Sequence, residues 1–235
     1  MTHAVLVSHG QPSDPDRAEA ALATLAAQVA ALLPDWQVRS ATLAKPGALQ
    51  AAVAGAATGR AFPLFMAGGW FTRSHLPTKL AAAGAPGWQV LEPLGCDPAV
   101  HDLILQVVGA AAPDAVLLAA HGSFKSPVPS DIAHHLAQRI TIETGLPAKA
   151  AFIDQDPQLS TATGYGPGSV CLPFFAAEGG HVTDDIPAAL TAAGFQGRLL
   201  PAIGLDPAIP QIIAHAIAAG APVCATECRW KRTVA

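Results

Sequence analysis

Three segments of this sequence occur twice, in the same order and about 110 residues apart. The matched pairs are residues 5–10 and 116–122, residues 63–77 and 173–187, and residues 94–100 and 203–209. Matched segments at a nearly constant offset indicate a duplicated domain in which one fold is used twice. The sequence therefore predicts two similar tandem domains, 1–112 and 113–235, each near the common domain size.

Short apolar runs alternate with Ala-rich helical stretches in both halves. The apolar runs are continuous, which is typical of strands in a parallel sheet that helices cover on both faces. The predicted strands are 4–7, 37–43, 61–66, 88–91, 115–120, 148–153, 169–173 and 198–201. The predicted helices are 16–33, a helix after Pro46, 74–83, 98–111, 130–144, a short helix near Pro157, 184–193 and 207–219. The predicted fold class is α/β, with flavodoxin- or Rossmann-like layers in each domain.

Composition excludes several classes of protein. The formal net charge is −4 and no run of Lys or Arg is present, so neither nucleic acid nor an anionic membrane is an expected partner. The longest apolar stretch, 18–33, is mostly Ala and is interrupted by Glu19 and Gln28, which favours an amphipathic helix over a membrane span. The N-terminus has no basic segment before its first strand, and the four cysteines are too few for a disulfide scaffold. We therefore expect a cytoplasmic protein.

Polar side chains that can carry chemistry follow the predicted strands of the second half. His121 follows one strand, Asp154 follows the next, and His181 comes after Gly179 and Gly180 beyond a third. Ligands of open α/β sheets bind at the carboxyl ends of the strands, so these residues are expected to meet there. We predict that the site is a cleft between the two halves.

The first half lacks most of these groups. It keeps His9 in its own His-Gly pair, but Phe71 stands at the position of His181 and Ala44 at that of Asp154. Two imidazoles and a carboxylate suit a divalent transition metal with open coordination positions. They equally suit proton abstraction, because histidine changes its charge near neutral pH. The residues alone do not decide between a metal site and proton abstraction. Glu178 is a candidate fourth residue of the site, beside His121, Asp154 and His181.

Three segments resemble a known family. His121-Gly-Ser, the run 152–157 and the run 173–187 are similar to the sirohydrochlorin chelatases, the class II tetrapyrrole chelatases that insert cobalt or iron into sirohydrochlorin. The resemblance covers essentially the whole chain, because the long, CbiX-like members consist of two tandem repeats. It implies a chelatase-like fold and metal insertion in cobalamin or siroheme biosynthesis. No Gly-x4-Gly-Lys phosphate loop is present, so the reaction is expected to need no ATP.

The resemblance also implies roles for residues. His121 and His181 would handle the metal and act in catalysis, and Asp154 would stand near the family's strand-end glutamate, one methylene shorter. No permanently bound cofactor is expected, since the divalent metal (Co²⁺, Fe²⁺ or Ni²⁺) is a substrate. Phe71 replaces a family histidine, which leaves the second half as the expected active half.

Sirohydrochlorin carries several carboxylates, which call for basic side chains at the rim of the site. The candidates for binding it are Lys125, Arg73 and His9, with Glu178 beside them. We predict a monomer, because pairing of the two halves can replace the dimer that a single repeat would need. The alternatives are a metal carrier or tetrapyrrole holder without turnover and, less favoured, a hydrolase, for which no Gly-x-Ser-x-Gly elbow is present.

Four other features are not expected to take part. We interpret His134 and His135 as surface residues of a helix, and His75, with its counterpart Asp185, as a helix N-terminal cap. Cys224 and Cys228 form an isolated Cys-x3-Cys pair, which is a poor zinc signature. The basic segment 229–232 is interpreted as a frayed terminus.

Overall fold

Two four-stranded parallel sheets carry the fold, in a computed structural model that describes Met1–Trp230. The first sheet has the strand order β2-β1-β3-β4 and the second the order β6-β5-β7-β8. The strands of the first sheet are β1 (Thr2–Ser8), β2 (Trp36–Thr42), β3 (Arg60–Pro63) and β4 (Gln89–Val90). Those of the second are β5 (Val116–Ala120), β6 (Ala148–Phe152), β7 (Val170–Pro173) and β8 (Arg198–Leu199). This order is the one with which a flavodoxin-like sheet begins, and the predicted fold class is confirmed.

Seven α-helices are formed within the described residues. They are α1 (Pro15–Leu32), α2 (Ala48–Val53), α3 (Leu76–Ala82), α4 (Pro98–Ala111), α5 (Val128–Thr144), α6 (Ile186–Ala192) and α7 (Ile209–Ala219). A π-helical turn precedes α3 at Phe71–His75 and α6 at His181–Asp185, so both helices start later than predicted. The short helix predicted near Pro157 is a 3₁₀ turn at Leu159–Thr161. None of these helices is long and apolar enough to cross a membrane.

Burial of the central strands explains the continuous apolar runs. All five residues of β5 are buried, and so are the middle residues of β1. In the second sheet, Leu117, Cys171 and Ile186 belong to one core cluster on a face of the sheet. Burial raises the pKa of the Cys171 thiol to about 12, so the thiol stays protonated and unreactive at neutral pH.

The compact units of the molecule are discontinuous in sequence. One unit contains Met1–Asp97 together with Pro207–Thr226, and the other contains Pro98–Asp206 together with the described residues from Glu227 to Trp230. Helix α7 therefore belongs to the unit of the first sheet, and α4 belongs to the unit of the second. The boundary of the sequence repeat itself, 112/113, stays a prediction.

Arginine side chains form hydrogen bonds that join α7 and α4 to the sheets of their units. In the first unit, Arg60 of β3 donates hydrogen bonds to the carbonyls of Ile217 and Ala218 at the end of α7. In the second unit, Arg198 of β8 donates to the carbonyl of Ala111, 2.6 Å away, at the end of α4. Helix C-termini carry unsatisfied carbonyls and partial negative charge, so a guanidinium stabilises them there.

A glycine in each unit allows close contact of two loops at the carboxyl end of the sheet. Gly95 donates its N–H to the carbonyl of Phe65, and Gly204 donates to that of Phe175, at 3.0 Å and 2.9 Å. A Cβ atom on either glycine would overlap backbone atoms, of Met66 in one unit and of Ala176 in the other. This contact explains the glycine in the matched segments 94–100 and 203–209, and in the second unit it supports the loop that leads to His181.

Candidate active site

The order of the second sheet brings three strand ends together. β5 pairs with β6 on one side and with β7 on the other. His121 follows β5 directly, Asp154 lies two residues beyond β6, and His181 begins the π-helical turn beyond β7. The strands are parallel, so all three residues lie at the carboxyl edge of one sheet, where ligands of such folds bind.

A sharp turn after His121 depends on glycine. Gly122 has a φ of +76°, and a Cβ there would lie 2.6 Å from the Cγ of Gln155. The Oε1 of Gln155 accepts a hydrogen bond from the N–H of Ser123 at 2.6 Å, which joins the loops after β5 and β6. The N–H of Asp154 donates to the carbonyl of His121 at 2.9 Å, so the carboxylate and the imidazole are held on adjoining backbone.

The imidazoles of His121 and His181 lie next to each other. Their ring centroids are 4.6 Å apart and the rings are nearly perpendicular, at 87°. Both side chains are about half exposed, at 46% and 45%, so a ligand can reach them from solvent. The structure thus brings together the two histidines that the sequence singled out, although their roles stay a proposal.

Each imidazole of this pair uses its Nδ1 for a contact with oxygen. The Nδ1 of His181 lies 2.6 Å from Oδ2 of Asp185. The Nδ1 of His121 lies 3.0 Å from the carbonyl oxygen of Gly122 and 3.4 Å from Oδ2 of Asp154. A carbonyl or carboxylate oxygen only accepts, so these contacts are hydrogen bonds when Nδ1 carries the hydrogen, and Nε2 of the neutral ring then keeps its lone pair. That lone pair can accept a proton or bind a metal ion.

Asp154 contacts the imidazole of His121 on its Nδ1 side. Among residues 1–230, no three His, Cys, Asp or Glu side chains are grouped so that they could hold a metal ion. With its Oδ2 3.4 Å from Nδ1 of His121, the Asp154 carboxylate can orient this imidazole.

Two further candidates, Lys125 and Glu178, have exposed side chains in the loops that follow β5 and β7. The backbone N–H of Lys125 donates to Oγ of Ser123 at 3.1 Å, which fixes the loop but leaves the ammonium in solvent. Beside it, Phe124 is 81% exposed, and no pattern in the sequence marks this residue as a functional one.

The corresponding edge of the first unit is aromatic. The ring of Phe71 lies 5.2 Å from that of His9 and 4.8 Å from that of His75, and His75 lies 4.9 Å from the ring of Trp70. Arg73 on the same turn donates a hydrogen bond to the carbonyl of Thr226. An apolar ring therefore fills the position that the second imidazole takes in the other unit.

Two predictions about histidines are wrong. Neither His75 nor Asp185 makes a side-chain capping bond, because each ends a π-helical turn that runs straight into the next helix. His134 and His135 are half-buried, and their rings lie 5.2 Å from Phe152 and 4.8 Å from Trp230. Burial, followed by the charge of Arg139, lowers the pKa of His135.

Residues near the C-terminus are only partly described. Lys231 and Arg232, which belong to the predicted basic terminus, lie outside the described residues. Arg229 packs over the ring of Trp230 at 4.8 Å. Cys224 and Cys228 form no disulfide bond with any cysteine of the chain.

Comparison with solved structures decides the family. The chain is 44% identical to CbiX, the terminal enzyme for biosynthesis of siroheme in denitrifying bacteria, with a TM-score of 0.86 over 92% of this chain and 98% of that one. The chain belongs to the CbiX family. The predicted resemblance and the predicted enzyme class, a sirohydrochlorin chelatase, are thereby confirmed. The CbiX family model itself matches residues 115–219, the half that carries His121 and His181.

More distant structures share the fold of the CbiX family. SirB from Bacillus subtilis with Fe³⁺ is 16% identical, with a TM-score of 0.70 over 98% of this chain and 99% of that one. The sirohydrochlorin chelatase SirB from Bacillus subtilis subspecies spizizenii in complex with cobalt is 18% identical, with a TM-score of 0.65 over 94% of this chain and 96% of that one. No curated protein matches the chain.

Proposed function

We propose that this protein inserts a divalent metal ion into sirohydrochlorin without ATP, at the carboxyl edge of its second sheet. The observation that carries the proposal is the pair of imidazoles of His121 and His181, 4.6 Å apart, with each Nδ1 on an oxygen acceptor. Membership of the CbiX family supports the same reaction.

The chemistry makes two demands on the protein. Two pyrrole N–H bonds of the macrocycle must break and release two protons, and the hydrated metal ion must exchange water for pyrrole nitrogens. The Nε2 of a neutral imidazole accepts a proton or binds the metal ion briefly. Asp154, at 3.4 Å from the Nδ1 of His121, stabilises the imidazolium that forms. A site with few protein ligands also releases the metal to the macrocycle readily.

Binding of the substrate is assigned to groups around this edge and its counterpart. We propose Lys125 and Arg73 as partners for the carboxylates of sirohydrochlorin. Arg73 has five N–H donors, and its bond to Thr226 leaves others for a ligand. His9 and Glu178 are proposed as further binding residues.

The metal is proposed to be Fe²⁺, with Co²⁺ as the alternative. Imidazole ligands discriminate poorly between Co²⁺, Fe²⁺ and Ni²⁺, so the ligand set alone does not decide. The CbiX that is 44% identical acts in siroheme biosynthesis, and siroheme contains iron. The 44% sequence identity to this CbiX supports a role in siroheme biosynthesis over one in cobalamin biosynthesis. We also propose that the enzyme is a monomer and is located in the cytoplasm.

Anaerobic absorbance of sirohydrochlorin tests the proposal with Fe²⁺, Co²⁺ and Ni²⁺ in parallel. We expect the protein to raise the rate of insertion above the spontaneous rate by at least about 100-fold, a modest figure for general acid-base catalysis. We expect Fe²⁺ to give the highest kcat/KM. A spectral shift on binding with no faster metallation would contradict the proposal and indicate a carrier or holder of tetrapyrrole.

A further inference from the structure

We propose that Asp185 is a positioning residue that holds the imidazole of His181 in the Nδ1–H tautomer. The carboxylate Oδ2 lies 2.6 Å from Nδ1 of His181, the shortest of the contacts that either imidazole of the site makes with oxygen. The catalytic consequence rests on the proposed function, whereas the effect on the tautomer does not.

The π-helical turn places the two residues next to each other. His181 begins the turn and Asp185 ends it, and the N–H of Ile186 donates to the carbonyl of His181. The wide turn puts side chains four apart on one face, so the carboxylate reaches the ring without leaving the helix. Both side chains are about half exposed, at 45% and 52%, so the contact lies where a ligand from solvent meets the ring.

The turn does not need this pair of side chains. In the first unit the N–H of Leu76 donates to the carbonyl of Phe71 in an equivalent π-helical turn. That turn carries Phe71 and His75 at the matching positions, with their rings 4.8 Å apart. Asp185 makes no capping bond to its own helix either. The turn of the second unit thus has both the imidazole of His181 and the carboxylate of Asp185, and the turn of the first unit has neither at the matching positions.

An oxygen acceptor on Nδ1 has a defined chemical effect. The acceptor favours the tautomer in which Nδ1 carries the hydrogen. The Nε2 of His181 then carries the lone pair that accepts a pyrrole proton or binds the metal substrate. It also limits rotation of the ring, which fixes the direction of that lone pair beside His121. Loss of such a partner typically lowers metal affinity or activity about 10- to 100-fold.

The test is NMR of full-length protein labelled with ¹³C and ¹⁵N in histidine, at a pH well above the ordinary range for histidine. His181→Gln identifies the signals of His181. We expect wild-type His181 in the Nδ1–H tautomer. Asp185→Ala leaves Nδ1 of His181 without an acceptor on this residue, and in Asp185→Asn the amide can accept through Oδ1 or donate through its N–H₂. We therefore expect a shift toward the Nε2–H tautomer in both variants, and the larger shift in Asp185→Ala. Asp185→Glu is expected to restore most of the Nδ1–H form.

Asp184→Asn is the matched control. Asp184 lies on the same exposed turn, and its substitution removes the same charge without touching the bond between His181 and Asp185. We expect wild-type tautomer and wild-type activity within about twofold, against a loss in kcat of about 10- to 100-fold for Asp185→Asn. Circular dichroism of each variant reports whether the fold is kept.

The outcomes separate the two proposals. A wild-type tautomer at His181 in a folded Asp185→Ala variant overturns the positioning role, whatever the activity. A changed tautomer in a protein whose wild-type form inserts no metal supports the positioning role and overturns the proposed function. The same change of the His181 tautomer in Asp184→Asn as in Asp185→Asn would mean that the charge of the turn matters and not the bond to Nδ1, and would also overturn the positioning role.

Discussion

His181→Ala is expected to lower kcat/KM for metal insertion at least about 100-fold, because the substitution removes one of the two imidazoles that accept protons or bind the metal ion. The side chain is about half exposed and is not part of the core, so the fold should be kept. The measurement is the initial rate of the absorbance change of sirohydrochlorin under anaerobic conditions, with the unfolding midpoint in urea measured alongside.

His215→Ala provides the control for this substitution. His215 is an exposed histidine of α7 whose Nε2 lies 2.9 Å from the amide nitrogen of Gln211, so its removal takes away an imidazole far in sequence from either His-Gly pair. We expect wild-type kinetics. If His181→Ala were as active as His215→Ala, the proposal that the reaction takes place at the carboxyl edge of the second sheet would be contradicted.

Gly204→Ala is expected to destabilise the protein by about 1–3 kcal/mol, the cost that is typical when added atoms overpack a closed interior. A Cβ at this position would overlap the carbonyl, the carbon and the Cα of Ala176, and rigid backbone cannot move aside as a side chain would. The loop of Ala176 leads to His181, so we also expect kcat to fall. Urea denaturation measures the first effect, and the insertion assay measures the second.

Gly109→Ala is the matched glycine substitution. Gly109 lies in α4, and a Cβ there has no atom within 4 Å, so alanine should stabilise the helix by about 1 kcal/mol. We therefore expect the free energy of unfolding to fall in Gly204→Ala and to rise in Gly109→Ala. A loss for Gly204→Ala no larger than about 0.5 kcal/mol would show that the loops are not in close contact.

The periodicity of the sequence was enough to predict the sheets. β5 is a continuous apolar run bounded by Pro113 and the His-Gly pair, and its burial at every position follows from its central place in the sheet. Because parallel strands end at one edge, the meeting of His121 and His181 could also be predicted. Their chemical roles rest on the proposal above.

The partner of the His181 imidazole could not be predicted, whereas Asp154 beside His121 could. Asp185 four residues after His181 suits an ordinary helix cap as well as a π-helical pair, and the sequence contains no signal that distinguishes a π-helical turn from an α-helical one. Gln155 was missed because its bond to the N–H of Ser123 joins two loops whose spacing only the sheet determines. The pairing of α7 with the first sheet likewise depends on contacts between residues distant in sequence, such as Arg60 and Ala218.

A single insertion assay of His121→Ala and His9→Ala, which alter the two histidines of the matched His-Gly pairs, shows which sheet carries the reaction. We expect His121→Ala to lower kcat at least about 100-fold. His9 stands beside Phe71 and has no second imidazole at the position of His181, so His9→Ala should change KM while kcat stays within about threefold. Equal losses of kcat in the two variants, or a larger loss for His9→Ala, would contradict the assignment of the chemistry to the second sheet.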